Sequence, residues 1–233
     1  MRKIYISAGH SSTKGRDMGA VGNGFIEGVE AAELRNIIFT ELKKLGITAT
    51  IDSDNTILAD SIRFFKNLTE KDSIVMDIHF NAGVPAATGT ETLIPFDSSK
   101  TEKQLAVDLT KIISETLNIK SRGVKSEADS HHGRLGWMRL TGENVLLEVC
   151  FISNTKDMES YRKNRVELGK KIAELLYDYV NQGTDTQNYY TVQKGDSLSK
   201  IAKQFGTTIA KLQTDNKLLG DTIFVNQKLK INN

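Results

Sequence analysis

A chain of 233 residues is about one and a half times the usual single-domain length, which leaves room for one large domain or a medium domain with a small module. Its 39% hydrophobic and 26% charged residues are those of an ordinary soluble globular protein. Two prolines, 7% aromatic residues and a net charge of +2, from 31 basic and 29 acidic residues, exclude a proline-rich linker protein and a basic arm for DNA or RNA. No nucleic-acid partner is expected.

The chain opens on Met1-Arg2-Lys3, basic like the start of a signal peptide, but the long apolar stretch of such a peptide does not follow. Synthesis in the cytoplasm is the expectation. No segment approaches the ~18 consecutive apolar residues of a membrane span, so no membrane partner is expected, and we expect a monomer. The single cysteine, Cys150, cannot form an intrachain disulfide; it reads as a small buried apolar residue, with a nucleophilic thiol as the alternative.

Arg2 to Ala8 reads as a buried strand. Leu34, Ile37, Ile38, Leu42 and Leu45 then recur at helical spacing, and Gly46 stands where a helix stop belongs. A short strand over 47–51, a helix over 56–68 and buried strands over 73–79 and 89–95 follow. Leu105, Leu109, Ile112, Ile113 and Leu117 mark another helix, and 144–149 is apolar like a central strand. A last helix carries Leu168, Ile172, Leu175, Leu176 and Tyr179 on one face. Strands alternating with amphipathic helices imply an α/β fold, a mostly parallel sheet flanked by helices on both faces.

The pattern breaks at Gln182 to Asn188, which has no large apolar side chain and reads as a linker between a first domain (1–181) and a second (189–233). Beyond it come a strand at 189–192, two short helices and a final strand at 227–231. From Asn188 onward seven lysines oppose three aspartates, a local charge of +4, so the preceding residues carry −2. Over nearly its whole length this tail resembles a LysM domain, on Tyr190-Thr191-Val192, Lys194-Gly195-Asp196-Ser197-Leu198, Ile201-Ala202, Phe205-Gly206-Thr207-Thr208, Leu212, Asn216, Ile223 and Val225 to Leu229. Asn226 stands where the family usually has glycine. The resemblance implies a βααβ fold that binds N-acetylglucosamine-containing glycan, chiefly peptidoglycan or chitin. Asp196 or Ser197 can cap the first helix.

The first domain carries the candidate chemistry. Two of the four histidines, His10 and His79, fall where strands should end, and ligands of open α/β sheets bind at the carboxyl ends of strands. On spacing alone they are either a shared metal site or ordinary loop histidines. Glu27 follows a glycine-rich loop, Val21 to Ile26, and Glu148 sits inside the apolar run Val145 to Phe151, where a carboxylate is costly unless paired, protonated or used. Two histidines and a carboxylate make a three-ligand zinc site with an open position, and a further carboxylate can move protons.

Taken in order, Ile6 to His10, Asp17 to Gly24 with Glu27, Ile78 to Ala82, Gly89-Thr90-Glu91, Arg122-Gly123-Val124, and Leu147 to Asn154 with Asp157 resemble the zinc-dependent N-acetylmuramoyl-L-alanine amidases of cell-wall autolysins and phage endolysins. Ser11-Ser12 replaces a frequent pair of glycines and Met18 a frequent proline. The resemblance implies Zn2+ held by His10, Glu27 and His79, with Glu148 as the catalytic acid/base. Glu30 is a rival to Glu27, since both precede or open the same helix. His131-His132 reads as a polar loop that could line a substrate groove. The implied reaction is hydrolysis of the amide between N-acetylmuramic acid and the L-alanine of the peptidoglycan stem peptide. The implied setting is a phage or prophage endolysin acting at the wall after release across the host membrane. A host autolysin or cell-division amidase, or a zinc peptidase of stem peptides, is the alternative.

Overall fold

The computed structural model describes residues 2–129, 133–181, 188–216, 218–225 and 227–231. They divide into two compact units, Arg2–Asp178 and the chain from Tyr179 onward. His131, His132, Asn226 and all of the expected linker but Asn188 lie outside the described residues.

The first unit runs β1 (Ile4–Ser7), β2 (Val21–Gly22), β3 (Phe25–Ile26), α1 (Glu27–Lys44), β4 (Ala49–Ile51), α2 (Leu58–Lys66), β5 (Ile74–Asn81), β6 (Thr90–Ile94), α3 (Lys100–Leu117), β7 (Ser121–Ser126), β8 (Glu143–Phe151) and α4 (Thr155–Asn181), whose last residues pass the division. Six strands form one sheet in the order β4-β1-β5-β8-β6-β7. Its pairings are parallel except for β6 against β8. The expectation of a mostly parallel sheet is therefore met, with one reversed junction next to β8.

The sheet is buried on both faces because its strands carry apolar side chains both ways. Phe80 points toward α4, where its ring meets Tyr161 edge-on with centroids 4.9 Å apart. Thr92 bonds Thr110 of α3 on that same side, 2.8 Å between hydroxyls. On the other face Tyr5 and Val75 pack with Phe65 of α2 and with Trp137 and Leu140. Side chains alternate along a strand, so Val75, Asp77 and His79 of β5 share this second face. Helix ends follow local chemistry. Ser99 and Glu102 close a capping box on α3, and α1 has Glu27 and Glu30 in its first turn and Lys43 and Lys44 in its last, matching the helix dipole.

Three elements depart from the sequence expectation. The β2–β3 hairpin is only two residues per strand, too short to show a period. Strand β7, at the sheet edge, is polar and has no buried residue, so it lacks the apolar run of an inner strand. Helix α4 starts at Thr155, well before the apolar stripe from Leu168; its first turns are highly charged around the buried Met158 and Tyr161.

The second unit runs β9 (Asn188–Thr191), α5 (Leu198–Phe205), α6 (Ile209–Asp215) and β10 (Lys228–Ile231), the expected βααβ order. Asn188, assigned to the linker from sequence, is the first residue of β9. The two strands pair antiparallel, with Tyr190 opposite Leu229. Its core is Val192, Leu198, Ile201, Ala202, Leu212, Leu229 and Ile231. Ser197, rather than Asp196, caps α5 by accepting the Lys200 amide, while Asp196 accepts from the Gln193 amide and the Tyr190 hydroxyl.

One buried ion pair ties α1 to the sheet edge. Arg35, 1% exposed, reaches Asp52 at 2.6 Å and also pairs with Asp54. Asp52 in turn accepts hydroxyls from Ser7 at 2.9 Å and Ser61 at 2.6 Å. Replacing the guanidinium by an apolar chain strands the Asp52 carboxylate among groups that cannot neutralise it. Arg35→Met should cost about 3–5 kcal/mol, read by urea unfolding at neutral pH. A loss below 1 kcal/mol would show the pair to be energetically idle.

Candidate active site

Glu27 is the centre of the site. It opens α1, where its own amide bonds the Ala20 carbonyl and the next amide, of Gly28, bonds Met18. Gly28 lies so close to the Ser11 carbonyl that an added Cβ would overlap it, so the helix start and the loop after β1 pack backbone to backbone. This brings the carboxylate under both histidines. Glu27 Oε1 lies 3.0 Å from His79 Nδ1 and 3.6 Å from His10 Nε2. It also accepts the Phe80 amide at 3.1 Å, while Oε2 accepts the Ala20 amide at 2.8 Å.

The two imidazoles stand edge to face, centroids 5.0 Å apart. One donor atom from each of His10, Glu27 and His79 fits within 4.8 Å of the others. Gly9 and Gly19, both at positive φ (64° and 70°), hold the loops against the rings, and a Cβ at Gly19 would sit 2.5 Å from Glu27 Oε2. Burial pushes the Glu27 carboxyl upward, but hydrogen bonding and charge from His79, then charge from His10, outweigh it and hold the group below the usual glutamate value. Burial likewise disfavours charged His79, yet Asp77 and Glu27 outweigh it and raise its pKa well above the ordinary imidazole value.

The donor set fits a metal on this structure's own terms. His10 Nδ1 is buried without a hydrogen bond among the described residues, although Asp17 Oδ1 stands 3.2 Å away. Two imidazole nitrogens and one carboxylate are the mixed donors that zinc accepts.

Glu148 faces this group from the neighbouring strand, opposite His79 on β5 and opposite Glu91 on β6. Its Oε2 is buried without a hydrogen-bond partner among the described residues. Burial raises its pKa to about 8, against the opposing pull of His79 and with further push from Glu27, Glu91 and Asp77. Glu91 is tuned the other way. Burial would raise it, but Lys125 and Arg122, each 2.6 Å away, hold it low, and Asn81 donates to it at 3.0 Å. Two adjacent carboxyls thus have their pKa values pushed apart, the arrangement that separates proton-transfer roles. The Arg122 guanidinium also lies over the Phe151 ring, 5.0 Å from its centroid.

A bulge between β5 and β8, where the register shifts between His79 and Asn81, ends the regular ladder beside the site. Asp157, in the first turn of α4, secures that end. It accepts the amides of Gly89 at 3.0 Å and Phe151 at 3.1 Å and the Thr88 hydroxyl at 2.6 Å.

The structure therefore brings His10, Glu27, His79 and Glu148 to one place. Glu30 goes elsewhere, its carboxylate 3.1 Å from Arg162 of α4. Three residues on from Glu27, it stands about 4.5 Å farther along the helix axis and about 60° short of a full turn, where it meets α4 instead. Cys150 is fully buried with its sulfur 3.8 Å from Met158 Sδ, and burial pushes the thiol pKa far upward. It is an inert core residue, as expected from sequence. Sequence reasoning used Glu91 and Arg122 only as signatures and passed over Asp77, which lies two residues before His79 on the same strand face. The i, i+2 spacing of Asp77 and His79 was the available signal.

Two family models match the chain. The family described as N-acetylmuramoyl-L-alanine amidase matches residues 4–181, and the LysM domain family matches residues 190–232. An uncharacterized protein of Bacillus subtilis, YqiI, is 32% identical over 186 residues, covering 79% of this chain and 85% of that protein. An Enterococcus faecalis autolysin is 51% identical over 49 residues, 21% of this chain but only 7% of the autolysin. The N-acetylmuramoyl-L-alanine amidase of Clostridium difficile 630 shares the fold, with TM-score 0.66 and 19% identity over 77% of this chain and 97% of that one. The catalytic domain of CwlV, the amidase of Bacillus (Paenibacillus) polymyxa, does so at TM-score 0.60 and 23% identity over 79% of this chain and 98% of its own. The chain belongs to the N-acetylmuramoyl-L-alanine amidase family, joined here to a LysM domain.

Proposed function

We propose that the protein is a zinc-dependent peptidoglycan hydrolase that cleaves the amide between N-acetylmuramic acid and the L-alanine of the stem peptide. The observation that carries this reading is the convergence of His10, Glu27 and His79 within 4.8 Å, with Glu148 on the adjacent strand, its buried Oε2 without a hydrogen-bond partner among the described residues, in a chain of the amidase family. His10, Glu27 and His79 would hold the metal. Zinc bound there supplies carbonyl polarisation and a water acidic enough to attack near neutral pH. Glu148 accepts the proton of the attacking water and returns it to the departing amine, which leaves only when protonated. Its ionised form is favoured by positive charge held on the three donors beside it. Glu91, kept charged by Arg122 and Lys125, keeps those two cations next to the reacting centre.

The LysM domain supports binding to the same polymer, and its core, from Val192 to Ile231, is its own. We read residues 182–187 as the joint between a catalytic domain of 1–181 and this wall-binding domain, since Asn188 belongs to β9. Within the amidase reading we favour an endolysin that reaches the wall from the producing cell after the membrane is opened. A host autolysin would cleave the same bond, and phage-like genes beside this one would separate the settings. Mass analysis of digested walls tests the reaction itself. An amidase leaves intact glycan strands and a free L-alanine amine, whereas new amines within the stem peptide would make the protein a peptidase.

The metal reading makes a sharp contrast between two glutamates. His10→Ala, His79→Ala and Glu27→Ala should each lower zinc content, measured by mass spectrometry of the metal, together with wall lysis. Glu30→Ala should retain zinc, since its partner is Arg162. Full lysis by protein shown to be metal-free would end the zinc reading.

Glu148→Gln keeps the shape and removes the proton acceptor, so turnover should fall ~10²–10⁴-fold with zinc retained. The same change has a pH signature in chelated protein. Because the folded-state pKa of Glu148 is raised to about 8 from 4.5, the folded state binds its proton more tightly. The stability this gives is complete below pH 4.5 and is lost as pH rises through 8. Glu148→Gln should therefore change the chelated protein's Tm little at pH 5 and raise it relative to the parent at pH 8.5. Equal effects at both pH values would contradict the buried, raised carboxyl.

A chain ending at Gln187 should fold and cleave soluble muropeptides at close to the full rate, since His10, Glu27, His79 and Glu148 all precede the cut. On intact walls it should be slower, because tethering raises the local concentration of substrate. Equal rates on walls would remove the tethering role of the LysM domain.

A further inference from the structure

Asp77 is an expensive residue with a single visible occupation. It sits in the middle of β5, 0% exposed, between β1 and β8, with Ser7 and Leu146 as its cross-strand neighbours. Its Oδ2 lies 3.0 Å from His79 Nε2. Its Oδ1 has no hydrogen-bond partner among the described residues. A carboxylate buried this way is unfavourable unless its one contact matters.

That contact decides which nitrogen of His79 is free. The ring lies between two carboxylates, with Nε2 toward Asp77 and Nδ1 3.0 Å from Glu27. A neutral imidazole carries one proton, so one nitrogen donates and the other offers a lone pair. If the proton sat on Nδ1 it would bond Glu27 and close the ligand position shared with His10. With the proton on Nε2, donated to Asp77, the Nδ1 lone pair faces the donor group. Metal-bound histidines commonly give their other N–H to a carboxylate in this manner. The strand enforces the pairing, since residues two apart project from the same face.

We propose that Asp77 is a positioning residue that fixes His79 as the Nε2–H tautomer and so presents Nδ1 to the metal. This rests on the metal reading of His10, Glu27 and His79. Asp77 touches neither substrate nor the reacting atoms; it acts through the orientation and tautomer of His79.

Two measurements on the full chain test it. The first is zinc affinity by competition with a chromophoric chelator, for the parent, His79→Ala, Asp77→Asn and Asp77→Ala. Asp77→Ala should weaken zinc binding about 10–100-fold. Asp77→Asn should recover part of the loss, because its amide oxygen still accepts the Nε2 proton while its NH2 also supports the other tautomer. The second is the nitrogen NMR spectrum of histidine-labelled parent protein, with His79 assigned by its loss in His79→Ala. It needs no Asp77 variant and so stands even if Asp77→Ala fails to fold. At a pH high enough to make the ring neutral, metal-free parent should show its one proton on Nε2, and added zinc should shift Nδ1. A neutral parent His79 protonated on Nδ1, or metal-shifted at Nε2, would overturn the proposal. So would Asp77→Ala that binds zinc as tightly as the parent. Failure of the parent itself to bind zinc, or undiminished binding by His79→Ala, would overturn the metal reading and this inference with it.

Discussion

The site depends on keeping one carboxylate charged where water hardly reaches. Glu27 is 4% exposed, and desolvation pushes its pKa upward. Two backbone amides and two imidazoles oppose that, and they come from three different parts of the chain. Ala20 brings the glycine-rich loop, Phe80 and His79 the end of β5, and His10 the loop after β1. An ionised Glu27 therefore requires the sheet, the first helix and both loops to be in place together. The electrostatics of the site and the packing of the domain are the same constraint viewed from two sides.

That constraint explains the glycines and small contacts around it. A methyl group at Gly28 would push the first helix off the Ser11 carbonyl, and one at Gly19 would enter the carboxylate itself. The Arg35–Asp52 pair works at a distance to the same end, since Ser7 bonds Asp52 and also accepts the Gly9 amide just before His10. Rigidity at the sheet edge is passed along the backbone to a side chain that must be held to within about 0.5 Å of its productive position.

Much of this was legible in the residues. Helical stripes such as Leu105, Leu109, Ile113 and Leu117 predicted α3 because burial demands that period. Histidines at strand ends and a glutamate inside an apolar strand pointed to the site because each is out of place for ordinary packing. What stayed hidden had physical reasons. Strand β7 carries Ser121, Arg122, Lys125 and Ser126, and an edge strand need not be apolar. The first turns of α4 bury Met158 and Tyr161 among charges that face outward. Spacing could not choose between Glu27 and Glu30, because only the helix's phase against β5 decides which one meets the histidines. Asp77 was masked by its apolar neighbours Ile74, Val75, Met76 and Ile78.

The reversed direction of β6 gives the domain two unlike rims. Along β1, β5 and β8 the carboxyl ends meet one rim, and β6 and β7 bring their amino ends to it, so Glu91 and Arg122 arrive there from the opposite sense. The segments leaving β6 and β7 then emerge at the far rim, where the Glu127 carboxylate takes the Phe96 and Leu135 amides and pairs with Arg139. Changes in loop length beyond Ile94 or Ser126 thus start at the far rim, with Lys125 reaching back along the strand to Glu91. Changes between Asn81 and Thr90 do not. Lineages sharing this fold have one rim on which to vary what the enzyme recognises and another on which to vary what it leans against, with little interference between them.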